Sequence, residues 1–177
     1  MKKVLLSLAT ISLLVSGCKV NQSKSAEDII GKQSVDVADG RFTPEVMWGM
    51  GKMGEAKVSP DGSRIAYTVT YYDVNKNKGN AELYVMNADG SNINQITTTA
   101  KSEFNPIWLN DNQIAFARGT ENGPQIFTID SDGKNEKQLS NIEGGIEGFM
   151  LSPDQTKVVY AATINKEKDS EIAKLYE

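Results

Sequence analysis

An all-β fold of repeated four-stranded units is predicted by three features of this sequence. The phrase "SPDGSRIAY" at residues 59–67 returns as "SPDQTKVVY" at residues 152–160. Its tail also occurs as "QIAF", so Tyr67, Phe116 and Tyr160 mark steps of 49 and 44 residues. A second phrase is interleaved: "ELYVMNADGSNINQIT" begins at Glu82, and "QIFTIDSDGKNEKQLS" begins 43 residues later at Gln125. Two phrases alternating at one period mean a single supersecondary unit used repeatedly. Four antiparallel strands in about 40–45 residues make the blade of a β-propeller.

The first 17 residues read as a signal peptide. Lys2 and Lys3 form its charged end, and residues 4–15 form its apolar stretch. That stretch falls short of the roughly 20 residues a helix needs to cross a bilayer. The following "LVSGC" resembles a bacterial lipobox, in which the chain is cut before the Cys and its thiol carries a diacylglycerol. Cys18 is the only cysteine in the chain, and it is the expected lipidation site. Residues 18–40 are polar without sustained periodicity and read as a flexible tether. Residues 41–177 read as an incomplete N-terminal propeller domain. The expected location is the periplasmic side of a bacterial envelope, anchored to the membrane through lipid on Cys18.

A short helix precedes the first blade. Thr43 suits its N-cap, Pro44 its first position and Glu45 its first turn. Val46, Met47, Met50 and Met53 are expected to pack it on the sheet, with Trp48 also as core. "EAKVS" then leads into the turn Ser59-Pro60-Asp61-Gly62, where proline presets φ and glycine accepts a positive φ. "RIAYTVTYYD" is the second strand, with Ile65, Tyr67 and Val69 on one face. "AELYVMNA" is the third, and Asp89-Gly90 turns it into "NINQIT", the fourth. The next unit runs from "FNPIWL" through "QIAFAR", "PQIFTID", Asp132-Gly133 and "EKQLS". The third supplies "IEGFML" and "KVVYAATI", with Gln155 where Gly62 stood, so that turn is expected to be strained or reshaped. The total is about two and a half blades, where a closed propeller needs four to eight. An open array leaves an inner face and its edges uncovered, and the chain therefore reads as the front of a longer protein or as a remnant of one.

Composition limits the chemistry. The 177 residues carry 19 basic and 23 acidic side chains, a formal charge of -4, which speaks against nucleic acid as a partner. There is no histidine. A Ser-His-Asp or Cys-His nucleophilic site and a His-ligated zinc site are thereby excluded within this chain. No G-x-S-x-G motif is present, so no catalytic residue is assigned, and no cofactor or metal is expected. Asp130 to Glu136, "DSDGKNE", lacks the ligand spacing of a calcium loop and reads as a β-turn. "GGIEG" at residues 144–148 lacks the Lys-Ser/Thr of a phosphate loop and reads as the flexible entry to the third blade.

The run "RFTPEVMWGMGKMGEAKVSPDGSRIAY" from residue 41 resembles the entry into the propeller of bacterial prolyl oligopeptidase-family serine peptidases. The branch it resembles is that of the dipeptidyl aminopeptidases and acylaminoacyl peptidases. Their Thr-Pro-Glu helix, "MG(R/K)" segment and first "SPDG" hairpin follow in this order, and the resemblance covers about residues 41–164. It implies a non-catalytic, substrate-gating segment of an exported peptidase that cleaves oligopeptides. A C-terminal α/β-hydrolase domain, missing from this chain, would bind the peptide substrates. The SPDG hairpin is shared with TolB-like propellers. The alternative reading is therefore a TolB-like periplasmic lipoprotein acting as a protein-interaction module.

Overall fold

The computed structural model describes residues 29–163, apart from 36 and 38. The helix α1, Pro44–Gly49, is capped by Thr43, whose Oγ1 accepts from the Val46 amide at 3.4 Å. It is only six residues long, and Val46 alone of its side chains is buried. Met47, Met50 and Met53 are exposed, correcting their expected place in the core. Met50 already follows the helix, and Met53 belongs to the next strand, so the helical spacing does not extend to either.

The first blade comprises β1 (Lys52–Val58), β2 (Arg64–Asp73), β3 (Lys78–Asn87) and β4 (Asn94–Gln95), antiparallel and in sequence order. The second repeats this with β5 (Glu103–Trp108), β6 (Gln113–Arg118), β7 (Gln125–Asp130) and β8 (Lys137–Gln138). The third supplies β9 (Gly148–Leu151) and β10 (Val158–Ala161). The four-stranded repeat holds, and β2 and β6 match the strands read from sequence. The fourth strands are shorter than expected, at two residues each.

The first strand of each full blade carries a bulge at the same place. Met53 pairs with Val69 but Ala56 with Tyr67, and Phe104 pairs with Ala117 but Ile107 with Ala115. One extra residue on β1 and on β5 locally bends each strand and increases its twist. In β5, Asn105 within the bulge takes φ 55° and donates its amide to the Phe149 carbonyl at 2.9 Å, reaching the third sheet.

Two apolar cores hold the sheets face to face. Between the first and second blades, Ala66, Leu83, Val85 and Ile96 meet Trp108, Ile114, Phe116, Phe127 and Ile129. Between the second and third, Ala115, Ala117 and Ile126 meet Ile146 and Phe149. Alternate residues of β6 thus feed opposite cores, which is why all but its first residue are buried. Fully burying one large aliphatic or aromatic side chain contributes about 1.5–3 kcal/mol. By contrast, every residue of β1 and of β10 is exposed. Upstream, Ile30 is buried and Gln33 Nε2 donates to the Tyr72 carbonyl at 2.8 Å. The last part of the stretch read as a tether therefore lies against β2.

Candidate functional site

Cys18 lies outside the described residues, as do the rest of the signal segment and residues 164–177. The repeated turns are structural. Ser59 Oγ and the amide and hydroxyl of Ser63 all donate to Asp61, at 2.6, 3.0 and 2.7 Å. These bonds, the one from Ser59 foremost, hold the Asp61 carboxyl down at about 2. The third unit copies the device. Asp154 Oδ1 accepts from Ser152 Oγ at 2.5 Å and from the Thr156 amide at 3.1 Å. Gln155 adopts φ 56° where Gly62 has 74°, so the turn is strained rather than reshaped. Its side chain donates to the Leu109 carbonyl at 2.7 Å, offsetting part of that strain. In the middle unit, which lacks the proline, Asn110 Oδ1 serves in place of the aspartate and accepts from the Asn112 and Gln113 amides.

The same turns clasp neighbouring blades. The Asp61 amide donates to Asp111 Oδ1 at 2.9 Å, and the Arg64 guanidinium donates to the Asp111 carbonyl and to Ser131 Oγ. With each of these hydroxyls and carboxylates already committed to its turn, none is set up as a nucleophile.

At the opposite end of the first blade, α1 and the β2–β3 hairpin enclose an apolar hollow of about 200 Å³ lined by Trp48, Tyr72, Val74 and Lys78. Trp48 meets Tyr72 edge to face at 5.4 Å, and Lys52 Nζ lies 3.9 Å from the Trp48 ring centre. Trp48 is 37% exposed, so it forms this wall rather than the core expected of it. The hollow exists because β2 and β3 are ten residues each, where β6 and β7 are six.

A third constellation was not legible in the sequence. Glu82, Thr97, Glu103 and Arg118 are buried together where the first two blades meet. Arg118 donates from Nε to Glu103 Oε1 at 2.5 Å, and through both terminal nitrogens to Glu136 at 2.7 Å. The sequence signal for it is Glu82, an acid at the head of the apolar phrase "ELYV".

The loops read as turns are also accounted for. Asp132 Oδ1 accepts from the Lys134 amide, Asp130 Oδ2 from Asn135, and Gly133 sits at φ 83°, a turn with its carboxylates engaged. Gly144 and Gly145 have φ of 77° and 79°, and Gly145 presses directly on Gly123 and Pro124. That entry is therefore closely packed. Among the described residues no three His, Cys, Asp or Glu side chains converge as metal ligands would. No described helix is long and apolar enough to cross a membrane.

Comparison with known proteins fits this architecture. The family described as the TolB β-propeller domain, PD40, matches residues 36–176. A dipeptidyl-peptidase 5 of Porphyromonas endodontalis is 31% identical over 174 residues, covering 96% of this chain and 24% of that protein. A dipeptidyl-peptidase 5 of Porphyromonas gingivalis is 38% identical over 148 residues, covering 80% of this chain and 22% of that protein. The chain thus spans about a quarter of the length of these relatives. Among solved structures, the Pyrococcus horikoshii acylaminoacyl peptidase superposes with a TM-score of 0.52 at 19% identity, over 70% of this chain and 19% of that one. That likeness concerns the fold alone.

Proposed function

The chain belongs to the TolB β-propeller domain family, and we propose that it is the substrate-gating propeller portion of an exported serine peptidase acting on oligopeptides. The observation that carries this reading is the 31% identity to a dipeptidyl-peptidase 5 along 96% of the chain. Catalysis belongs to an α/β-hydrolase domain outside these 177 residues. The chain itself has no histidine to serve as the base of a triad. Its own contribution is steric. A stack of blades around an axis leaves a passage that admits an extended peptide and turns away a folded protein. The uniformly exposed β1, the first strand of its blade, suits the wall of such a passage.

The purified 177-residue chain is expected to release no fluorophore from a panel of dipeptide amides. The same propeller joined to the hydrolase domain encoded with it is expected to do so. Turnover by the short chain, or none by the joined protein, overturns the reading. Blades that close without a hydrolase and capture a protein partner instead would favour the TolB-like interaction module.

Anchoring is the second part of the proposal. Lipid on Cys18 holds the propeller at the membrane on the periplasmic side. More than one acyl chain is needed for stable attachment, at about 0.8 kcal/mol per buried CH2. Cys18→Ala is expected to move the protein from the membrane to the soluble fraction and to abolish labelling by palmitate. Equal labelling of both forms would overturn Cys18 as the lipid-bearing residue.

A further inference from the structure

The buried group between the first two blades has a hydrogen-bond count that ionised carboxylates do not satisfy. Asn80, Glu82, Thr97 and Glu103 are each more than nine-tenths buried. Thr97 Oγ1 accepts from the Leu83 amide at 2.8 Å. It also lies 2.7 Å from Glu82 Oε2 and 3.0 Å from Glu103 Oε2. A hydroxyl has one proton to give and two lone pairs. The Leu83 amide fills one lone pair, and the hydroxyl proton serves one carboxylate. The remaining carboxyl oxygen sits at hydrogen-bond distance only if it carries a proton and donates it to the second lone pair.

The other two carboxyl oxygens already meet N–H donors. Glu82 Oε1 takes the Asn80 side-chain amide and the Thr99 backbone amide, both at 2.8 Å. Glu103 Oε1 takes Arg118 Nε and lies 2.9 Å from Thr99 Oγ1, a hydroxyl whose proton also points to the Lys101 carbonyl at 2.7 Å. With two amides on Glu82 Oε1 and the guanidinium on Glu103 Oε1, the shared proton is best placed on one of the Oε2 atoms facing Thr97. Asn80 Oδ1, at the border of this group, is the one buried side-chain polar atom among the described residues that lacks a partner.

We propose that Glu82 and Glu103 hold one proton between them across Thr97 Oγ1, and that its loss in alkaline solution loosens the joint between the first two blades. The second blade shows the proton-free version of the same device. There Ser140 Oγ takes the place of Thr97, accepting from the Ile126 amide and donating to Gln125 Oε1, each at 2.8 Å. Gln125 Oε1 also accepts from the Ile142 amide, and its Nε2 donates to the Ile142 carbonyl. One neutral amide thus does what Glu82 and Asn80 do together in the first blade.

Charged neighbours set the direction of the response. From β6 and the approach to β8, Arg118 and Glu136 face the pair. Lys76, Lys78 and Lys101 line the opening beside Asn80. Burial first, and the Glu82 carboxyl next, push Glu103 up to about 8, against the pull of Arg118. That titration belongs to the pair rather than to one residue. Its ordinary value of 4.5 returns when the joint opens. The proton's contribution is complete below that value and is lost as pH rises through about 8.

The test is amide exchange of the full chain at pH 6 and pH 9, with rates corrected for base catalysis. Residues 97–103 report the carboxyl-paired joint, and residues 140–146 report the amide-paired one. Protection of residues 97–103 is expected to fall roughly a hundredfold between the two pH values, tenfold for each of the two pH units from 6 to about 8 over which the closed joint alone holds the proton. The reference segment is expected to hold, and Glu82→Gln, which removes the like charge but not the burial, is expected to make the fall clearly shallower. A fall shared by both segments, or an unchanged wild-type profile, or a Glu82→Gln profile that drops like wild type, overturns the proposal. Carboxyl carbon resonances of the glutamate-labelled wild type give a second readout that needs no variant. One must titrate well above all the others.

Discussion

Phe116→Ala is expected to cost roughly 3–5 kcal/mol, as truncating a fully buried phenylalanine does. Phe116 is completely buried, and its ring lies stacked 5.8 Å from that of Phe127. It sits in the core shared by the first two blades, with Leu83, Val85 and Ile114. The Arg118 guanidinium lies over its ring at 5.2 Å. The sheets have little freedom to collapse into the vacated space, because Trp108 Nε1 is tied to the Lys57 carbonyl and Arg64 to Asp111 and Ser131. A large part of a domain's net stability of about 5–15 kcal/mol would be lost. Denaturant midpoints check this, with Val159→Ala, a residue 67% exposed on β10, as the near-neutral reference. Equal midpoints for the two variants would mean that the blades are not joined through this core.

The second large effect is expected at Gly123. Its φ is 87°, and a Cβ there would overlap the Gly144 carbonyl. Gly145, at φ 79°, presses back on the Gly123 backbone. The contact pins the β6–β7 hairpin to the segment entering the third sheet. The Ile146 amide completes it by donating to the Pro124 carbonyl at 2.9 Å. Gly123→Ala combines a left-handed alanine with a clash against backbone that cannot rotate away, for a loss of about 2–4 kcal/mol. Gly90→Ala isolates the first contribution, since Gly90 has φ 84° and nothing within 4 Å of an added Cβ. It should cost about 1 kcal/mol. A Gly123 variant no worse than the Gly90 variant would refute the close contact.

What the sequence made legible is what recurs along it. The strands of each blade announce themselves through alternation and through turn residues whose φ requirements are local, so β2, β6 and the Thr43-Pro44 helix start fall where the residues place them. Blade count follows from the period. The misreadings come from partners far along the chain. Met47, Met50 and Met53 look like one apolar helical face, but the helix ends at Gly49, before Met50 and Met53, and within it only Val46 turns inward. The bulges leave no sequence mark, because an extra residue on β5 becomes visible only against its register on β6. Glu82 and Glu103 are 21 positions apart. Each alone is an ordinary surface acid, and only the stacking of one blade on the next brings them to a single hydroxyl. The hollow at Trp48 depends in turn on the length of a hairpin that begins more than a dozen residues later.

The outermost strands β4 and β8 have a further consequence. Each pairs through two polar, exposed residues, Asn94 and Gln95 in one and Lys137 and Gln138 in the other. A foreign strand seeking to extend a sheet needs a long row of unpaired amides and carbonyls, and charge along that row discourages it. Here the rim of each full blade offers hardly one repeat of the ladder, with a lysine on one of the two. The outer rim of both full blades is thereby protected against cross-β recruitment by neighbouring molecules.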